Sequence, residues 1–125
     1  MGHLAQYHFG HLPAWIGGNA YFNGATVSKH EKRGLVNADD RATVELEESD
    51  GGWTLKTNVY DLLGDFCDAI LTTESLGRAF QPEQRFENPD GTPIAFDRDL
   101  LGNHRGLDTL PGPFASAEAA RAILR

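Results

Sequence analysis

Ala42-Thr43-Val44-Glu45-Leu46-Glu47-Glu48, then Ser49-Asp50-Gly51-Gly52, then Trp53-Thr54-Leu55-Lys56-Thr57-Asn58-Val59-Tyr60, is the stretch that decides the fold. Both flanks alternate apolar and polar residues, the period of a strand with one covered face. The link between them is made of residues that accept turn geometry at little cost. A four-residue link sets Glu48 opposite Trp53, Leu46 opposite Leu55 and Val44 opposite Thr57. On the other face it sets Glu45 opposite Lys56, an opposite-charge cross-strand pair. Pattern, register and charge therefore agree on a half-buried antiparallel ribbon, with Val44, Leu46, Trp53, Leu55 and Val59 turned inward.

Two further segments carry hairpin chemistry. Ala20-Tyr21-Phe22, Asn23-Gly24, Ala25-Thr26-Val27 has short arms around Asn-Gly, the dipeptide that favours a type I′ turn. Glu83 to Glu87, Asn88-Pro89-Asp90-Gly91 and Thr92 to Phe96 suit a turn with proline second and glycine in the left-handed position. That register pairs Phe86 with Ile94, and it makes the second arm an edge because Pro93 has no N–H to give a ladder. Ala69 to Thr73 has strand composition, and Leu110-Pro111-Gly112-Pro113 is a hinge. Ser116 to Arg125 reads as a short helix, capped by Ser116, with Glu118 in its first turn and arginines in its last. Alone it is marginal, so it must dock through Ile123 and Leu124.

Composition sets the outer bounds. With 125 residues the chain is the size of one domain, spanning 1–125, with no repeat and no low-complexity tract. Hydrophobic residues at 40% and charged residues at 23% are a globular profile, and fourteen glycines and six prolines make it turn-rich. A net charge of −7 argues against nucleic-acid and anionic-membrane partners, since both need a basic surface. No apolar run approaches the ~20 residues of a membrane span. The N-terminal residues lack a secretory pattern and Cys67 has no cysteine partner, so a cytoplasmic location is expected.

Chemistry gathers in two places. The loop from Asp97 to Asp108 holds Asp97, Arg98, Asp99, Asn103, His104 and Arg105. Asp97 or Asp99 with His104 suits general acid–base work, and Arg105 suits a carboxylate or phosphate, so Asp97, Asp99, His104 and Arg105 are the candidate catalytic residues. Arg98 and Asn103 of that loop, with His8, His11 and Trp15 of the glycine-rich N-terminal segment, are the candidate ligand-binding residues. A metal is not expected, because the histidines lack a closely spaced ligand pair, and no phosphate-cradling or dinucleotide motif implies a cofactor.

The expected fold is mainly β, a small antiparallel β-sandwich or open barrel with a short C-terminal helix. The leading function is a non-catalytic module for a small polar ligand, a sugar or a carboxylate. The first alternative is a small hydrolase or lyase using the Asp/His/Arg group. The second is an oligomeric structural or interaction protein without a pocket. A proline-bearing edge and several large aromatics favour a homo-oligomer. Any site is expected between the segment around His8, His11 and Trp15 and the loop from Asp97 to Arg105.

Overall fold

Alternating patterns of strand period rule the middle of the chain, and in the structure strands outweigh helices by 30% to 10%. The computed structural model describes residues 16–121, 123 and 124. Seven short strands form three small sheets, and no closed barrel forms among the described residues. β3 (Val44–Ser49) and β4 (Gly52–Thr57) make the antiparallel ribbon, with Val44 opposite Thr57, Glu45 opposite Lys56, Leu46 opposite Leu55 and Glu48 opposite Trp53. The expected register holds, although Ser49 and Gly52 pair as well, so only Asp50 and Gly51 remain in the link. Lys56 makes its ion pair diagonally, to Glu47 at 2.7 Å, instead of to Glu45 across the ladder. The strand ends earlier than expected. Asn58 turns its side-chain oxygen to the N–H of Thr43, and Val59–Leu62 then winds into one turn, α1.

The ribbon's burial departs from expectation. Val44 is 66% exposed, Leu46 59% and Trp53 47%, while Leu55 and Val59 are half-buried, so this apolar face is largely open. The packed centre lies elsewhere, at Leu63, Phe114 and Ala120. Tyr60 stacks its ring at a tilt against Phe114, centroids 6.2 Å apart, and its hydroxyl accepts the Phe114 N–H.

Two other elements correct the sequence reading. Asn23 and Gly24 both take positive φ, 54° and 80°, as the Asn-Gly turn requires. No second arm follows it. β1 (Asn19–Tyr21) pairs in parallel with β2 (Gly34–Val36), and 22–33 supplies the roughly dozen-residue crossover that a parallel pair needs. Asn23 instead locks its amide to both backbone groups of Ala42. The all-antiparallel expectation is thus wrong at β1.

The expected C-terminal helix is the second correction. Ser116 does cap, accepting from the N–H of Ala119, but the winding stops after a 3-10 turn at Ala119–Arg121. The chain then becomes β7 (Ile123–Leu124) and pairs antiparallel with β4. Ten residues of helix are marginal in water, whereas the open edge of β4 offers ready backbone partners.

The second hairpin keeps its turn and register. Gly91 takes φ 82°, Asn88 N–H reaches the Thr92 carbonyl at 2.9 Å, and Glu87 bridges Pro93. Beyond Pro93 the ladder is broken by a third party. The Thr73 hydroxyl donates to the Phe86 carbonyl at 2.6 Å and accepts the Ile94 N–H at 2.7 Å. It stands where Phe86 and Ile94 would have bonded each other. Thr73 begins α2 (Thr73–Leu76), whose N-cap Thr72 accepts from Ser75 N–H, and the arm after Pro93 runs along 71–73. β5 (Asp68–Ala69) and β6 (Asp108–Thr109) form the last pair, antiparallel. Among the described residues no helix is long and apolar enough to cross a membrane.

Candidate functional site

The loop expected to carry catalysis closes on itself. Arg105 N–H bonds the Asp97 carbonyl at 2.7 Å, and Asp99 N–H bonds the Asn103 carbonyl at 2.9 Å. Asp99 is buried, and its carboxylate accepts from the N–H groups of Leu101, Asn103 and Ala115 and from the Asn103 amide. Burial by itself pushes that carboxyl up, but the hydrogen bonds from Ala115, Asn103 and Leu101 outweigh it, and Asp99 ionises below its ordinary range. Such a group organises a turn and has no free lone pair aimed at a substrate. Arg98 turns back to the Gly102 carbonyl. Asp97 and His104 face each other at 3.8 Å, with His104 largely in solvent.

Arg105 is placed differently. Its Nε donates to the Thr109 hydroxyl at 2.8 Å and its Nη2 to the Leu110 carbonyl, which aims the guanidinium out of the loop. There it lines a cleft of about 510 Å³. One wall is the parallel pair and the residues leading into it, Ile16 to Asn19 with Lys32 and Arg33. The opposite wall is Asp68 to Leu71 of the β5 segment, with Thr109 at the end of β6 and Leu110 to Gly112 after it. Leu76 of α2 and the ring of Phe96 close the apolar side.

The polar centre of this cleft is an ion pair across its walls. Arg33 Nη1 reaches Asp68 Oδ1 at 3.2 Å, and Asp68 is anchored by accepting the Ala69 N–H on the same oxygen. Gly18 makes the approach possible. It sits at φ 72°, and a Cβ there would lie 3.0 Å from Asp68 Oδ2, so any side chain would push the carboxylate away. Gly18 N–H in turn holds the Arg33 carbonyl. Behind the same wall Glu31 accepts from Asn19 at 2.8 Å and from the Tyr21 hydroxyl at 2.6 Å. Burial raises the Glu31 carboxyl, yet the bonds from Tyr21 and Asn19 prevail and lower it overall. Donating a hydrogen bond to that carboxylate makes the Tyr21 hydroxyl harder to ionise and raises it above its usual value. A second hollow, beside Asn23 and 41–45, has no such convergence of charge with an apolar wall.

Of the candidate residues, Arg105 lines the cleft, while Asp97, Arg98, Asp99, Asn103 and His104 do not. His8, His11 and Trp15 lie outside the described residues, which begin at Ile16 on the cleft wall. Sequence reasoning passed over Arg33, Asp68 and Phe96. The signals were present: Lys29 to Arg33 is one of the two densest basic groups, and Asp68 follows Cys67 in a short acidic turn. Neither reveals that the fold sets them face to face. Among the described residues no three His, Cys, Asp or Glu side chains converge as metal ligands.

No protein-family model matches the chain, and no curated protein matches it. Among solved structures, one described as the complex structure of XylC with xylose is similar, with a TM-score of 0.70 and 25% sequence identity over 92% of this chain. The match covers 20% of that chain, so the present chain spans about a fifth of its length.

Proposed function

We propose that the chain is a non-catalytic module that binds a small sugar in the cleft between the β1–β2 and β5–β6 pairs. The observation that carries this reading is the Arg33–Asp68 pair set beside the half-exposed ring of Phe96 in one cleft of about 510 Å³. A sugar offers hydroxyls that donate and accept, and a C–H face that prefers an apolar or aromatic surface. A carboxylate and a guanidinium side by side serve the hydroxyls, and Phe96 with Leu71 and Leu76 serves the face. The volume falls within the range of small-molecule sites. The likeness to a protein solved with xylose supports the same class of ligand, a small polar one. On this reading residues 1–125 are one β-rich domain.

The test is a titration of the isotope-labelled chain with xylose, followed by amide shifts. Shifts are expected at Gly18, Asn19, Ala69 and Phe96, with the β3–β4 ribbon silent. Asp68→Asn and Phe96→Ala should each weaken binding about tenfold or more, the scale of a lost charged hydrogen bond or ring contact. Unshifted cleft amides at high millimolar xylose would end the proposal.

A further inference from the structure

We propose that the sugar this cleft prefers is an acidic one, its ring carboxylate held by Lys32 and Arg105; the inference rests on the sugar-binding reading above. Among the described residues the cleft is lined by three cations, Lys32, Arg33 and Arg105, against a single carboxylate, Asp68. This excess of positive charge stands on a chain whose net charge is −7, and it gathers three of eleven lysines and arginines in one hollow. A neutral sugar makes no use of it.

The three cations are not equivalent. Arg33 is matched by Asp68 at 3.2 Å and leaves little net charge. The Lys32 side chain is exposed and makes no hydrogen bond or ion pair with a described residue; its backbone N–H alone is engaged, to the Ile16 carbonyl. Arg105 is half-buried, and its partners, the Thr109 hydroxyl and the Leu110 carbonyl, are both neutral. They fix the guanidinium without cancelling its charge. A partly desolvated cation held in place by neutral acceptors favours an anion that completes it, and a pre-fixed fork loses little freedom when it binds one. Two neighbouring acids are already occupied. Glu31 is taken by Asn19 and Tyr21, and Asp99 by Leu101, Asn103 and Ala115. A carboxylate is a better match than a phosphate, because Asp68 shares the cleft and a second negative charge would meet it.

Four probes separate the sources of the anion: xylose, glucuronate, acetate and inorganic phosphate, each titrated against the 125-residue chain at low and moderate salt. Glucuronate should bind about tenfold tighter than xylose at low salt, the worth of one charge-assisted contact. The advantage should shrink as salt screens the exposed Lys32. Lys32→Gln should remove most of that advantage, and Lys32→Arg should restore it. If xylose binds as tightly as glucuronate, the acidic preference is wrong and the sugar reading survives. If acetate or phosphate matches glucuronate, the hollow takes anions without regard to a ring, and the inference fails. If neither sugar moves the cleft amides, both readings fall together.

Discussion

Thr73 and Asp99 are the polar side chains buried among the described residues, and each replaces backbone pairing that the chain cannot make for itself. The Thr73 hydroxyl joins Phe86 to Ile94 after Pro93 has ended the ladder. Thr73→Val keeps the shape and deletes the bridge, leaving a part-buried carbonyl and N–H without their shared partner. Chemical denaturation should show a loss of roughly 1–3 kcal/mol, and Thr73→Ser should recover most of it. Asp99 holds its turn through an ionised carboxylate, so its contribution depends on pH. Its folded ionisation lies below the unfolded value of about 4, so its stabilisation is complete above that value and is lost as pH falls through the folded one. Melting curves of the natural chain and Asp99→Asn should therefore differ most near neutrality and converge in acid. A gap that stays constant down to the lowest pH would contradict this. Sequence alone marked Asp99 as chemically interesting without showing its role. An aspartate near Gly102 and Asn103 suits catalysis and turn-building equally, and only the four donors around its carboxylate separate the two.

Register was readable in the strands because alternation and turn composition both report on it. The pairings of Leu46 with Leu55 and of Glu87 with Pro93 follow from those signals alone. Burial was not readable, because alternation says which residues share a face and nothing about what covers it. The ribbon's apolar face shows the difference, with Leu46 59% exposed. Leu46→Ala should then cost less than about 1 kcal/mol in denaturation, as for a surface truncation; a loss of core size would mean the face is covered in solution. The tail misled for a related reason. Ser116, Glu118 and Arg121 are sound helix signals, and the cap at Ser116 does form. The outcome was decided by the open edge of β4, a partner remote in sequence that no local pattern announces.

The cleft exists only at the level of the whole chain. Its residues come from segments near 16–19, 32–33, 68–76, 96 and 105–112, and no short window of sequence contains them all. The described residues also hold a small packed centre, at Leu63, Phe114 and Ala120. Phe114 is 2% exposed, lies against Tyr60, and carries the strand of backbone that reaches Asp99 through Ala115 and Leu100 through Pro113. Phe96, on the cleft wall, is 53% exposed and contributes little to that centre. The two phenylalanines should therefore separate stability from binding. Phe114→Ala removes a fully buried ring and should cost about 3–5 kcal/mol, a large share of the 5–15 kcal/mol that holds a typical domain. Its melting temperature should collapse, and any loss of sugar binding should track the unfolded fraction. Phe96→Ala should melt almost where the natural chain does and still lose the sugar, because only the ring surface offered to the ligand has gone. The comparison needs thermal melts and xylose titrations on both variants. If Phe96→Ala unfolds the chain, or Phe114→Ala leaves it as stable as before, the packed centre has been assigned to the wrong place.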